Sequence, residues 1–467
     1  MTEAGSNSPY NVEYEDETLF IDSSDWRSSR LLKGQISCSF FLFTLFGLAE
    51  QTVGAIIPKL QEQYHVNDIY ISLIYFSGTL GYFTMALCNG YLHKNFGIRG
   101  VTALGLCCMT ISYFIISTVP PFAIFVFCYF FSGLGFGAMD AGLNTWMGNL
   151  VDSNPLMGIL HGCYGLGSMI LPSLITHLLE RKMNPWQWYD YYVALMALSG
   201  LCLTAALMLF RYETPKKYKY MVITKSKLDD NDIAMDTAKD DDVTIVTDLT
   251  SNTAELDVDD SREVSIAQVL AKPMVWIFAT VLAMYVGGEV AFGQWLLTYL
   301  MRIKQTPYKK CSHIVTSFWS GLTVGRVVLG WVTGHYFTTE LVANMVYITC
   351  SFGGYILIWW ILFATDYINI LFPLVFITGV VVGPIFPTTV MTAIRLVPKR
   401  EEVASIGFIT AAGGSGAAMF CSLIGAVAET SSISLFPLII MVIFGVITVA
   451  WFFIYEKYKS VFGKTRL

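Results

Sequence analysis

Twelve apolar stretches of about 20 residues run through this chain, each long enough to cross a hydrocarbon layer of roughly 30 Å as an α-helix. A water-soluble core cannot absorb so many unbroken apolar helices, so the chain is expected to lie in a bilayer. Spans 1 to 6 are Ile36–Ile57, Ile69–Leu92, Ile98–Thr118, Phe122–Leu143, Leu156–Leu179 and Tyr191–Phe210. Spans 7 to 12 are Met274–Leu300, Ile314–Gly334, Val342–Phe363, Ile370–Ile394, Ala404–Val427 and Leu435–Tyr455. Of the 467 residues, 54% are hydrophobic and only 14% charged, which excludes most soluble classes.

Lys and Arg fix the expected orientation. If both termini are cytosolic, 21 of the 29 basic residues fall on that side and 7 on the other, in the sense of the positive-inside bias. The reading is a multi-pass membrane protein, in a plasma or an internal membrane. Residues 1–34 are expected as a disordered cytosolic tail, 35–211 and 273–456 as two six-helix bundles, and 457–467 as a cytosolic tail. Residues 212–272 turn strongly acidic and poor in aromatics, so a mostly disordered cytosolic linker is expected there. The polar N-terminus lacks the pattern of a cleaved signal peptide. The ten cysteines are scattered through apolar segments with no CxxC pair, as small core residues would be.

The halves echo each other. Span 1 carries "GLAEQTVG" and span 7 "GGEVAFG", so Glu50 and Glu289 each precede a glycine by four residues. Span 4 has "GLGFG" where span 10 has "GVVVG", and span 5 has "GLG" where span 11 has "GSG". Such a parallel repeat implies an all-α integral membrane protein of twelve transmembrane helices in two six-helix, pseudo-symmetric halves around a central cavity.

Only four formal charges lie deep inside the spans: Glu50, Asp140, Glu289 and Arg326. Each costs roughly 2.5–3.5 kcal/mol on insertion scales, so each calls for a cavity, a counter-charge or a proton. On span 4, Gly133, Gly137, Asp140, Asn144 and Gly148 share one face by i+3 and i+4 steps. The glycines suit close helix contact, whereas the two polar groups exceed what packing needs. On span 5, His161, Gly165, Ser168 and Pro172 align, and His161 fits either a proton relay or a structural hydrogen bond. Gln294 and Trp295 follow Glu289 and offer an amide and a flat apolar surface suited to a sugar, although tryptophan more often anchors at the interface. Arg326 reads as a partner for a carboxylate, as an inner-gate residue, or as a cation reaching the nearer surface. No phosphate loop, zinc spacing, GxSxG elbow or nucleic-acid stripe occurs, which leaves no enzyme, cofactor or nucleic-acid partner to propose.

Six plus six spans with a long middle loop resemble the major facilitator superfamily. "GYLHKNFGIRG" is similar to its loop signature between spans 2 and 3, but Lys94 stands where an acidic residue is usual and Arg99 is displaced by one place. A closer resemblance, to the fucose-permease-like branch with its fungal members, rests on "LHGCYGLGSMILP", "GGEVAFGQWLLTYL" and "SFWSGLTVGRVVLG". That resemblance implies alternating access driven by a proton gradient. It also implies that the acidic residues of spans 1 and 4, here Glu50 and Asp140, serve proton coupling and sugar binding. The expectation is therefore a monomeric, proton-coupled symporter of a sugar or similar small polar solute. The alternatives are a carrier of an organic anion or apolar compound, or a nutrient sensor that moves nothing.

Overall fold

The computed structural model describes residues 10–23, 25–151, 153–221, 224, 270–397 and 402–463. Its helices account for all twelve crossings. Nine stretches among the described residues are apolar enough to cross by composition alone, and one of them, Ser405–Ser460, contains both span 11 and span 12. Span 2 and the less apolar span 8 (Tyr308–Tyr336) complete the set. The helices overrun the expected apolar cores, as span 1 (Arg30–Tyr64) and span 7 (Pro273–Arg302) show.

Spans 2 and 3 form one helical path, Asp68–Ser117, broken at Gly97. Gly97 has φ +66°, and a Cβ there would lie 2.6 Å from the carbonyl carbon of Thr214. Only glycine meets both conditions without strain. Span 10 is likewise interrupted, Leu371–Val382 being followed by Ile385–Leu396 with Pro384 between them.

The sequence repeat becomes visible as six backbone contacts. A Cβ at Gly133 of span 4 would sit 1.8 Å from the Gly78 carbonyl oxygen of span 2, and one at Gly137 would sit 2.8 Å from that of Tyr82. Their counterparts on span 10, Gly379 and Gly383, meet the carbonyl oxygens of Phe318 and Leu322 on span 8, at 2.4 and 2.5 Å. Gly167 of span 5 abuts Thr44 O of span 1 (2.2 Å), and Gly416 of span 11 abuts Ala283 O of span 7 (2.0 Å). Spans 2 and 4 thus pair as spans 8 and 10 do, and spans 1 and 5 as spans 7 and 11 do.

The expectation of a disordered N-terminal tail is corrected for its described part. Tyr10–Tyr14 (β1) and Glu17–Ile21 (β2) form an antiparallel hairpin. Its two-residue turn, Glu15 and Asp16, has φ of 47° and 58°, the left-handed pair that a tight hairpin turn uses. An isolated hairpin is marginal in water, and this one docks on the segment after span 6. Phe20 packs on Tyr212 (5.0 Å between ring centroids), Tyr14 on Tyr220 (5.6 Å), and Glu17 pairs with Lys216 (3.2 Å).

The start of the linker is ordered too, with residues 215–221 helical. Glu213 and Lys217 form a buried ion pair at 2.7 Å, and the Arg99 N–H donates to the Glu213 carbonyl. The rest of the expected linker, residues 222–223 and 225–269, lies outside the described residues, as do the chain ends. At the C-terminus the span 12 helix continues through Gly463.

Replacing Gly97 by alanine is expected to cost about 1–3 kcal/mol, the range for a strained left-handed residue with no room for its Cβ. A lowered melting temperature of the purified protein, with Gly90→Ala as an unhindered control, is the measurement that checks it.

Candidate functional site

The four charges predicted to need a reason lie on spans 1, 4, 7 and 8, each of which a glycine contact seats against a neighbouring helix. On span 4 (Phe122–Gly148), Gly133 and Gly137 seat the helix against span 2, and Asp140 follows one turn on. The Tyr82 hydroxyl donates to Asp140 Oδ2 (2.8 Å), and Asn144 Nδ2 donates to Asp140 Oδ1 (2.9 Å). The Asn144 side-chain oxygen Oδ1 is buried and has no donor among the described residues. Tyr82 also reaches the other half, since a Cβ at Gly414 of span 11 would lie 3.0 Å from its ring.

Span 1 repeats the pattern with different partners. Gly47 lets the Tyr164 backbone of span 5 approach so closely that a Cβ would fall 2.0 Å from its carbonyl oxygen. One turn further on, the Tyr164 hydroxyl donates to Glu50 Oε2. Neither Asp140 nor Glu50 is bonded to a cation among the described residues. Each is held by a tyrosine hydroxyl.

The other half neutralises its own charge. Arg326 Nη2 donates to Glu289 Oε1 at 2.7 Å, joining spans 8 and 7, with side-chain exposures of 16% and 4%. The second carboxylate oxygen of Glu289 is buried without a donor among the described residues. The bracing role that the sequence left open for Glu289 is therefore real, and Arg326 is its partner. Glu50 remains within electrostatic reach of Asp140, Glu289 and Arg326.

Two expected solute contacts point elsewhere. Gln294 is fully buried between the halves: its Nε2 donates to the Glu50 backbone carbonyl (2.9 Å), and its Oε1 accepts from the Tyr75 hydroxyl (3.2 Å). Gly54 makes the room, since a Cβ there would overlap the Gln294 amide oxygen at 2.1 Å. Trp295 is fully buried as well, and its indole N–H donates to Cys421 O of span 11 (3.1 Å). Gln294 is a bridge between halves and Trp295 a core residue, because helix rotation turns both away from the Glu289 face.

His161 is half-buried, edge-on to Phe43 (5.6 Å), within electrostatic reach of Asp140 and Arg326, and hydrogen-bonded to no described residue. Gly165 packs across the halves, where a Cβ would meet Thr323 Oγ1 at 2.6 Å. The side chains of Lys94 and Arg99 are exposed and form no ion pair among the described residues, so the loop is anchored through its backbone instead. Sequence reading missed Tyr75, Tyr82 and Tyr164.

Around this centre, the hydrogen bonds that join the halves among the described residues lie on one side. From the midplane toward the face opposite the termini, hydrogen bonds cross from Tyr308 to Ala55 O (2.6 Å), Ser312 to Pro172 O, and Ser173 to Thr316 (2.8 Å). The outermost layer is Arg302, which grips both oxygens of Asp68 (2.5 and 2.8 Å) and Gln61 (2.6 Å). Toward the termini face, Gly158 and Gly162 continue the stripe of Gly165, and a Cβ at either would meet nothing within 4 Å. The halves diverge there.

This arrangement accords with the comparison to known proteins. A family model described as the Major Facilitator Superfamily matches residues 39–420. The chain belongs to the major facilitator superfamily. As a member it is a multi-pass membrane transporter, not an enzyme. A relative from Saccharomyces cerevisiae, "Bypass of stop codon protein 6", is 31% identical over 473 residues, covering 96% of this chain and 91% of its own. Two crystal structures share the fold, the first of the E. coli fucose:proton symporter FucP and the second of a major facilitator superfamily transporter, FucP. The first aligns with a TM-score of 0.55 at 14% identity, and the second, in the outward conformation, with 0.57 at 15%. Each alignment covers 90% of this chain and 98% of the other.

The Glu289–Arg326 pair of this facilitator sets a stability prediction. Glu289→Gln leaves Arg326 buried and unpaired, which costs about 3–5 kcal/mol in comparable cases. A Glu289→Gln/Arg326→Met double variant is expected to recover most of that loss, as read by thermal unfolding in detergent.

Proposed function

We propose that this transporter is a proton-coupled symporter of a sugar or similar small polar solute, working by alternating access. The observation that carries the reading is the Tyr82–Asp140–Asn144 cluster, a carboxylate with no bonded cation beside a buried amide oxygen that has no donor. A hydroxyl-rich solute supplies donors for such acceptors, and buried acceptors left unpaired are costly. The second orphan acceptor, Glu289 Oε2, has the same need.

Protons fit the same residues. A carboxylate that must pass between two aqueous faces through a low-dielectric centre does so at least cost when neutral. Asp140 and Glu50 are held by tyrosine hydroxyls, which leaves proton uptake as their route to neutrality. Glu289 already has Arg326. Solute recognition is therefore shared between the halves, and proton exchange is assigned to Asp140 and Glu50. The fucose:proton symporter named among the structural neighbours supports the same class of cargo.

Alternating access is supported by the one-sided join. The layer from Gln294 to Arg302 seals the face opposite the termini, while the open stripe at Gly158 and Gly162 leaves the other side parted. Rocking one half against the other about the midplane would exchange these conditions.

The test is uptake into liposomes holding the purified protein, across a panel of sugars and polyols, with and without an imposed pH gradient. Wild type is expected to accumulate one of them when protons flow inward. Asp140→Asn is expected to lose pH-driven accumulation while retaining exchange of labelled for unlabelled solute, and Glu50→Gln is expected to lower the rate at least tenfold. Accumulation that ignores the gradient would remove the proton. Preference for an organic anion over every neutral solute would remove the sugar and point to Arg326 as the ligand.

A further inference from the structure

Just past the end of span 2, a histidine is shut inside the protein with one nitrogen left without a partner. His93 is 5% exposed, and its Nε2 has no hydrogen-bond partner among the described residues. Its Nδ1 lies 2.9 Å from the Asn89 carbonyl oxygen. A carbonyl only accepts, so the proton of the neutral ring sits on Nδ1 and Nε2 is a bare acceptor. The proposed transport mechanism uses neither nitrogen.

Three elements close around this ring. Gly142 of span 4 lies against it, since a Cβ there would fall 2.7 Å from Nε2. Tyr218, in the segment after span 6, packs on it with ring centroids 5.6 Å apart. Asn89, one turn back on span 2, is buried as well, and its Oδ1 has no donor among the described residues. Charge near the ring gives an imidazolium no support. Lys94 and Arg99 on its own element are exposed cations, Glu213 and Lys217 beyond span 6 are paired with each other at 2.7 Å, and Asp140 on span 4 is held by Tyr82 and Asn144. No carboxylate is bonded to His93 among the described residues.

A second proton would turn Nε2 into a charged donor facing a helix backbone, with no acceptor to meet it. Burying a charge unpaired is costly. The neutral ring fits this seat and the imidazolium does not, so protonation favours release of the ring toward the termini face. Release would strip a contact from a junction that the same short stretch of chain maintains. There Gly97 packs on Thr214, and the Arg99 N–H donates to the Glu213 carbonyl.

We propose that His93 is a pH-sensitive catch on the termini face. Neutral, it holds the loop between spans 2 and 3 to span 4 and to the segment after span 6; protonated, it lets go. The catch is complete above roughly pH 6.5, where an unburied histidine titrates, and is lost as the pH falls below that value. Gly142 stands two residues beyond Asp140, so release also frees the end of the helix that carries the proposed proton site. Such a catch would brake a carrier that delivers protons to this face. That use rests on the proposed symport; the catch itself does not.

Hydrogen–deuterium exchange of the purified full-length protein reads the catch without any solute. Protection of residues 97–101 and 213–218 is compared at about pH 7.5 and about pH 5.5, either side of the ordinary histidine value, after correction for the intrinsic pH dependence of amide exchange. Wild type is expected to lose protection about fivefold or more at the lower pH. His93→Gln keeps a donor for the Asn89 carbonyl but does not titrate, so its protection should be equal at the two values. Equal protection in wild type would overturn the proposal, because a ring that only packs has no such dependence. A folded His93→Gln that keeps the acid loss would also overturn it, since another group would then be titrating. Should that variant fail to fold, Asn89→Asp decides: a carboxylate one turn from the ring should hold the imidazolium in place and move the loss to lower pH, and an unmoved loss overturns the catch. Wild type that shows the acid loss but accumulates no solute under a pH gradient would refute the symport and leave the catch standing.

Discussion

Contact between backbones at glycine is what the rest of this structure depends on. Helices in lipid gain little by burying apolar side chains against each other, so close approach and van der Waals contact must hold them together. Here a glycine of one helix repeatedly meets a main-chain carbonyl of its neighbour, as Gly133 meets Gly78 O and Gly416 meets Ala283 O. These contacts fix the depth and rotation of each helix, and so decide which side chains face the middle. Asp140 and Glu50 each stand about one turn beyond such a contact.

Around that frame the two halves treat charge differently. The C-terminal half pairs Glu289 with Arg326 and is locally balanced. The N-terminal half holds two carboxylates on hydroxyls and balances neither. A pair buried in low dielectric is costly to break, so the C-terminal half offers a fixed charge pattern. The unbalanced half is the one whose charge state has room to change, which is why the proposed proton exchange falls on Asp140 and Glu50.

Much of this was legible in the sequence because lipid imposes simple rules. Span lengths follow from bilayer thickness, and four charges in apolar runs stand out against a background where charge is expensive. The glycine echoes at 133/137 and 379/383 marked spans 4 and 10 as counterparts, but not spans 2 and 8 as the helices they pack against. The partners were harder to see. Tyr75, Tyr82 and Tyr164 are three of 25 tyrosines, and no spacing separates a buried hydroxyl donor from an interfacial anchor. Gln294 and Trp295 were assigned to the cavity by adjacency to Glu289, but consecutive residues on a helix point about 100° apart. The hairpin was hidden by its acidity, although Val12, Leu19 and Ile21 already alternate as a strand requires. Gly97 needed its partner at 213–215, more than 100 residues away.

The position of Gln294 links these observations. It belongs to span 7 but hydrogen-bonds the main-chain carbonyl of Glu50 on span 1 and the hydroxyl of Tyr75 on span 2. It is thus the innermost tie of the sealed side, which continues outward through Tyr308 to Arg302. Parting the halves on that side must break this tie, leaving a buried amide without partners until water reaches it. The cost falls on the residue whose side chain Tyr164 holds, so the carboxylate state of Glu50 and the closure of the seal act on the same turn of span 1. In the proposed symport, a proton bound at Glu50 would weaken the charge-assisted bond from Tyr164 at the turn where the seal begins. Under the proposed symport, proton binding and opening would meet on one helical turn, with no longer pathway needed.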